Sequence, residues 1–384
     1  MFSPDLTAAP QPGVDTTELP TSHRVPVTWL RENACASIRW RAVTEILPPS
    51  AATPADMAFL QEEISQYKSV RQVIKKQRVN GTWGGNMLGL APAKSQGIAD
   101  VGTVAQYRRL VEMGVPGDER ALRLAERLFF RLLSRDEDPK LLFEYEKPAK
   151  TNPALAVWAR EFLREGATVA LAHSGHIMDP RVRGAAHRMA SNISQFLRSD
   201  LSEKPLVKQG ARTVLHPEAY PPTLFSVATI AYMPNLRRER AGFVERLGHF
   251  LAQPAPKRTW TILAGKKVIK PCYHFLGDPL HADASGNAKD VPFALHWMEL
   301  LARIGALESS PTATRILARL IKDLDEQGVW SPKNLRSVPK SPSKLADFAF
   351  PLECESKSVD QRRVDVTFRI ALIAKLAGWE LEFV

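Results

Sequence analysis

Three aspartates stand where an acid or a cation-holding group could act. Asp100, Asp290 and Asp365 each precede a valine, in "ADVGTVAQYRRLVEMG", "KDVPFALHWMELLARIGA" and "VDVTFRIALIAKLAG". An Asp just ahead of a helix caps exposed N–H groups and complements the helix dipole. If these helix starts share one rim, the same carboxyls could serve as general acids or hold a cation, because desolvation raises a carboxyl pKa toward proton donation. The densest polar cluster is the loop "PCYHFLGDPLHADASGNAKD", residues 271–290. Its Cys272, His274 and His281 are of the types that ligate zinc, so a divalent metal is the cofactor to expect there. The spacing matches no established zinc pattern, and a long loop with Pro, His and Asp also serves as a lid or a connector. His173 and His176 lie three apart at a helix end, while His216 and Glu218 sit in "HPEAYPP" with no evident partner. No Gly-rich phosphate loop, serine elbow or metalloprotease helix is present.

The elements that must position these groups read as pairs of helices. Amphipathic segments cover 54–78, 117–135, 179–199, 237–252 and 310–326. Asp179-Pro180 and Ser310-Pro311 mark two of their starts, since Pro suits the first helical position. Between them lie less charged helices, about 34–46, 102–114, 153–172, 222–233, 291–306 and 363–377. "PTLFSVATIAYM" and "VPFALHWMELLARIGA" are apolar nearly all round, so they belong inside. Alternation of buried and amphipathic helices predicts two layers, an inner and an outer ring. Inner-helix side chains would line a cavity; Tyr107, His296, Trp297 and Arg369 are candidates for ligand contact, with Trp83 and His281 on the loops. Aromatic faces among them could stabilise a cation. A short hairpin within 260–271, turning around Ala264-Gly265, is the one strand pair expected.

The aspartate phrases belong to a longer repeat. Each follows a tryptophan (Trp83, Trp260, Trp330) and a polar loop, and each ends in Gly or Gly-Ala. Repeats of this length build arrays of supersecondary units that bury their cores against one another. "VIKKQRVNGTWGG" and "EQGVW" resemble the Gln-Trp repeat of squalene cyclases and protein prenyltransferases, and "VDVTFRIALIAKLAG" resembles the start of their inner helices. The resemblance spans most of residues 30–384 and implies an all-α fold, an α/α toroid of about six helix pairs with a central cavity. It also implies a terpene-cyclase-like or prenyltransferase-like protein with an apolar or isoprenoid ligand. The family's Asp-x-Asp-Asp acid is missing here, because each inner start carries one Asp. No cysteine follows an Asp at the spacing of the prenyltransferase zinc site.

The bulk composition bounds the rest. At 384 residues, 44% hydrophobic and 24% charged, the chain can bury a sizeable core. Residues 1–26 are Pro- and Thr-rich and read as a loose arm before a single domain, 27–384. The formal charge of +11 favours anionic partners, a small anionic ligand or nucleic acid. Sparse aromatics among the basic segments give single-strand stacking little support. Three widely spaced cysteines argue for a reducing, cytoplasmic setting, and no apolar run of about 18 residues predicts a transmembrane helix. Two further classes stay open: a helical-repeat scaffold binding a protein or nucleic acid through its basic surface, and a carbohydrate-active (α/α) barrel with paired carboxylates.

Overall fold

The computed structural model describes residues 18–89, 102–134, 137–342, 349–353 and 358–384. It is predominantly helical. The first helices are α1 (Val27–Asn33), α2 (Ala36–Arg41), α3 (Pro54–Gln66), α4 (Lys68–Lys75), α5 (Thr103–Glu112), α6 (Arg120–Leu133), α7 (Glu146–Ala149) and α8 (Pro153–His173). There follow α9 (Pro180–Leu197), α10 (Leu224–Tyr232), α11 (Pro234–Glu239), α12 (Ala241–Ala252), α13 (Val291–Ile304), α14 (Pro311–Ile321) and α15 (Val359–Leu376). A π-helical turn, Ala42–Ile46, continues α2.

Local chemistry sets the starts. Asp179, Asn152, Ser310 and Asp290 each accept a backbone N–H of the first turn, at 2.8, 3.2, 3.2 and 3.0 Å. A Pro at the first or second helical position follows each of them. The 54–78 segment, which the charge pattern reads as one helix, breaks at Tyr67, whose backbone is extended. The break lets the Tyr67 hydroxyl donate to the Leu352 carbonyl at 2.9 Å.

Burial separates two kinds of helix. Every residue of α10 but Tyr232 is buried, as are residues 364–374 of α15. Helix α5 packs on α8, α8 on α10, α10 on α13 and α13 on α15, and α15 meets the π-helical turn after α2. The amphipathic helices lie against this succession. Helices α6 and α9 pack on α8, α12 touches α9 and α13, and α14 touches α13 and α15. Helix α3 packs on α2, and α4 on α5.

The Trp repeat is built twice in the same way. Before Trp83, the Arg78 N–H donates to the Thr82 carbonyl and Gly81 turns the chain at φ +85°. Before Trp330, the Asp325 N–H donates to the Val329 carbonyl and Gly328 turns it at φ +88°. Glycine is required at both: a Cβ would stand 2.6 Å from the Leu124 oxygen and 2.1 Å from the Arg24 oxygen. Each tryptophan N–H then donates to a threonine hydroxyl at an inner helix, Thr103 at 3.1 Å and Thr367 at 3.0 Å. The third phrase departs from this plan. Trp260 has no such glycine and leads directly into a strand.

Among the described residues, six short strands form three pairs. The expected hairpin is present as β4 (Ile262–Ala264) with β5 (Lys267–Ile269). A second hairpin, β2 (Leu206–Gln209) with β3 (Arg212–Leu215), was not expected from the sequence. The third pair corrects the reading of 1–26 as an arm throughout. Residues Ser22–Val25 form β1, which pairs in parallel with β6 (Glu380–Phe383) and so ties the two ends of the described chain together. No helix among the described residues is long and apolar enough to cross a membrane.

Candidate acid–base site

Two of the three aspartates are described, and each takes structural partners. Asp100 lies outside the described residues. Asp290 is the N-cap of α13, and its second oxygen accepts the Ser341 hydroxyl at 2.6 Å. Asp365 is not at a helix start but inside α15, fully buried. It accepts the backbone N–H groups of Leu352 at 3.1 Å and Glu353 at 3.0 Å, which latches that segment to the helix. Burial raises its pKa, partly offset by Arg369 and these N–H groups.

The other candidates also take structural partners. Trp83 is fully buried and its indole N–H donates to the Val73 carbonyl at 2.8 Å, tying α4 to the loop. Gln77 completes the tie by donating to the carbonyls of Gly81 and Ala121. The Tyr107 hydroxyl donates to Glu126 at 2.8 Å. Trp297 is buried against the rings of Phe275 and Phe293. The metal reading is corrected: among the described residues, no three His, Cys, Asp or Glu side chains group to hold an ion. His274 stacks on Phe162 at 5.2 Å instead, Cys272 is half-buried, and His281 is exposed.

Arg369 joins residues of other helices in an ion-pair network, with His296 beside it. Three arginines, Arg41, Arg303 and Arg369, meet three glutamates, Glu45, Glu112 and Glu299. Arg41 lies 2.5 Å from Glu45, 3.6 Å from Glu112 and 3.5 Å from Glu299. Arg303 lies 2.6 Å from Glu45 and 2.9 Å from Glu299. Arg369 lies 3.5 Å from Glu112 and 3.6 Å from Glu299. Burial alone would push the Glu299 carboxyl up. Arg303, Arg41 and Arg369 more than offset it and hold the pKa well below the usual carboxylate range. The His296 and His173 imidazoles are kept neutral by burial and by the arginines around them.

A different residue combines a perturbed acid with an opening. Glu165 sits on the buried face of α8, and its two oxygens accept the hydroxyls of Tyr220 at 2.5 Å and Thr223 at 2.6 Å. Burial pushes its pKa up to about 7, against the lowering effect of those two hydroxyls. The same burial, and the charge of Glu165, hold the Tyr220 phenol well above its ordinary value. Two cavities, of about 230 and 170 Å³, share Glu161, Glu165 and Tyr220 in their walls. One adds Arg164, Arg181 and Asn192; the other adds Trp158, His216 and His274. Glu161 pairs with Arg164 at 2.9 Å. Burial takes the His274 pKa down to about 4, so it is neutral here.

This arrangement can move a proton. A carboxyl near neutrality is available in both forms, as general acid–base chemistry requires. Both Glu165 oxygens accept hydroxyls, and of the two donors Tyr220 is the one that lines both cavities. It can therefore relay a proton: a ligand proton can pass to the Tyr220 oxygen as the Tyr220 proton passes to Glu165, and the reverse can return it. The sequence carries one sign of this site: Glu165 falls in the apolar phase of α8, with Phe162 and Val169. Its partner Tyr220 lies in "HPEAYPP", where His216 and Glu218 draw the eye first. His216 turns out to accept the Glu218 N–H at 3.2 Å.

Comparison with family models, with curated proteins and with solved structures finds no match to this chain.

Proposed function

We propose that the chain is an α/α toroid that acts as an enzyme, moving a proton to or from a hydroxyl-bearing, saccharide-type substrate in the Tyr220 crevice. The toroid is supported by the succession α5, α8, α10, α13, α15 and α2, and by the Arg41–Glu112 pair that links its two ends. That architecture agrees with the likeness to terpenoid cyclases and prenyltransferases. Their isoprenoid chemistry has less to stand on, because Arg41, Arg369 and Glu299 project from the inner helices where an apolar ligand would need an apolar lining.

The observation that carries the reading is Glu165, poised at about 7 and hydrogen-bonded to the Tyr220 hydroxyl, both residues lying in the walls of the two cavities. The surroundings favour a polar, ring-bearing substrate. In one cavity Trp158 offers apolar surface to the C–H side of a sugar ring; in the other Arg164 and Asn192 offer hydrogen-bond partners to hydroxyls, and Glu161 lies in the walls of both.

The test uses Glu165→Gln, which keeps an oxygen for the hydroxyls but cannot titrate, and Tyr220→Phe, which removes the relay. Turnover of a panel of neutral and acidic oligosaccharides should titrate near pH 7 in the unaltered protein. It should fall roughly 10²–10⁴-fold in each variant, the usual worth of one general acid–base group. Full turnover by Glu165→Gln would overturn the reading.

A further inference from the structure

A groove of about 760 Å³ runs between α11, α12 and the end of α13, on elements that take no part in the Glu165 crevice. Arg237, Arg238, Arg303 and His249 line it, with Glu245 as its one acidic residue. Arg303 already serves Glu45 and Glu299. Arg237 and Arg238 are different: among the described residues neither pairs with a carboxylate. Arg237 donates to the Ile230 and Ala231 carbonyls at the end of α10, and Arg238 to the Asn235 side chain at 2.5 Å. A half-buried guanidinium beside two others, with backbone carbonyls but no carboxylate against it, keeps a net positive field in the groove. Burial, and the nearby charges of Arg303 and Arg238, lower the Arg237 pKa accordingly. The walls leave space for a ligand: a Cβ at Gly242 would meet only the Arg246 side chain at 3.8 Å, and one at Gly305 nothing within 4 Å.

We infer that this groove is a binding site for a small phosphate-bearing molecule, held by the forks of Arg237 and Arg238. Two adjacent guanidinium forks match the geometry and charge of a phosphate group. A free small molecule fits better than nucleic acid. The arginines converge in one concavity rather than along a stripe, and no aromatic side chain lines it for base stacking.

The test is calorimetric titration of the full chain with pyrophosphate at constant ionic strength. One saturable site is expected, with affinity at least tenfold weaker in Arg238→Gln, an exposed substitution that leaves the fold intact. Arg237→Gln should weaken binding as much or more. Glu165→Gln should bind like the unaltered protein, which keeps this result separate from the fate of the crevice. Absence of saturable binding, or equal affinity in Arg238→Gln, would overturn the inference. So would an oligonucleotide that binds with a steep salt slope and that pyrophosphate fails to displace.

Discussion

Burial raises the Glu165 pKa, the hydroxyls of Thr223 and Tyr220 work against it, and the balance falls at about 7. The balance depends on side chains from two separate segments, which is why no local motif announces it. A carboxylate in the apolar phase of α8 is legible in the sequence; the hydroxyls that reach it from residues 220 and 223 are not. Glu299 shows the opposite balance. It too lies in a helix that reads as apolar, but three arginines face it and it stays ionised. Removing its charge would strand Arg41, Arg303 and Arg369 with two glutamates among them. We expect Glu299→Gln to lose about 3–5 kcal/mol of stability in urea unfolding, the usual cost of breaking a buried charge set. A loss below about 1 kcal/mol would mean that water already solvates the network.

Elements were the most legible scale. Pro and Asp, Asn or Ser at helix starts mark α8, α9 and α14 closely, because capping is local chemistry. The buried helices stand out by their lack of charge. What escaped were β1 with β6, a pairing of distant segments, and the local β2–β3 hairpin, whose four-residue strands carry no clear alternation. The Trp turns illustrate how a repeat can be readable and still mislead. Trp83 reads as a ligand-contact residue, yet its backbone N–H, like that of Trp330, donates to a threonine hydroxyl, and the glycines before both admit close carbonyls. Gly81→Ala should therefore cost roughly 1–3 kcal/mol, from a positive φ and a Cβ 2.6 Å from the Leu124 oxygen. Unfolding midpoints equal to the unaltered protein would show that the turn relaxes freely.

At the scale of the whole molecule, the ends of the described chain meet in the β1–β6 pair, and α2, α5, α13 and α15 meet in the ion network. Neither meeting is visible in any one segment, since each depends on residues hundreds of positions apart. The first of them carries a pH dependence. His23, in β1, is buried, and burial takes its pKa from 6.5 to about 4. The fold holds it neutral, whereas the unfolded chain gains its proton near 6.5. Its contribution is thus complete above pH 6.5 and is lost as the pH falls toward 4. Between pH 7 and pH 4 the stability gap between the unaltered protein and His23→Gln should shift by about 3 kcal/mol, the unaltered protein losing more. Parallel pH profiles for the two would contradict this.

Glu165 is defined by one property, a carboxyl that titrates near neutral pH while bonded to Tyr220. The most direct measurement is a carbon-13 NMR titration of the glutamate side-chain carboxyls, with the Glu165 resonance identified by its absence in Glu165→Gln. A midpoint near 7, shifting in Tyr220→Phe, is the predicted result. A midpoint in the ordinary carboxylate range, near 4.3, would contradict the account and leave the crevice without its acid.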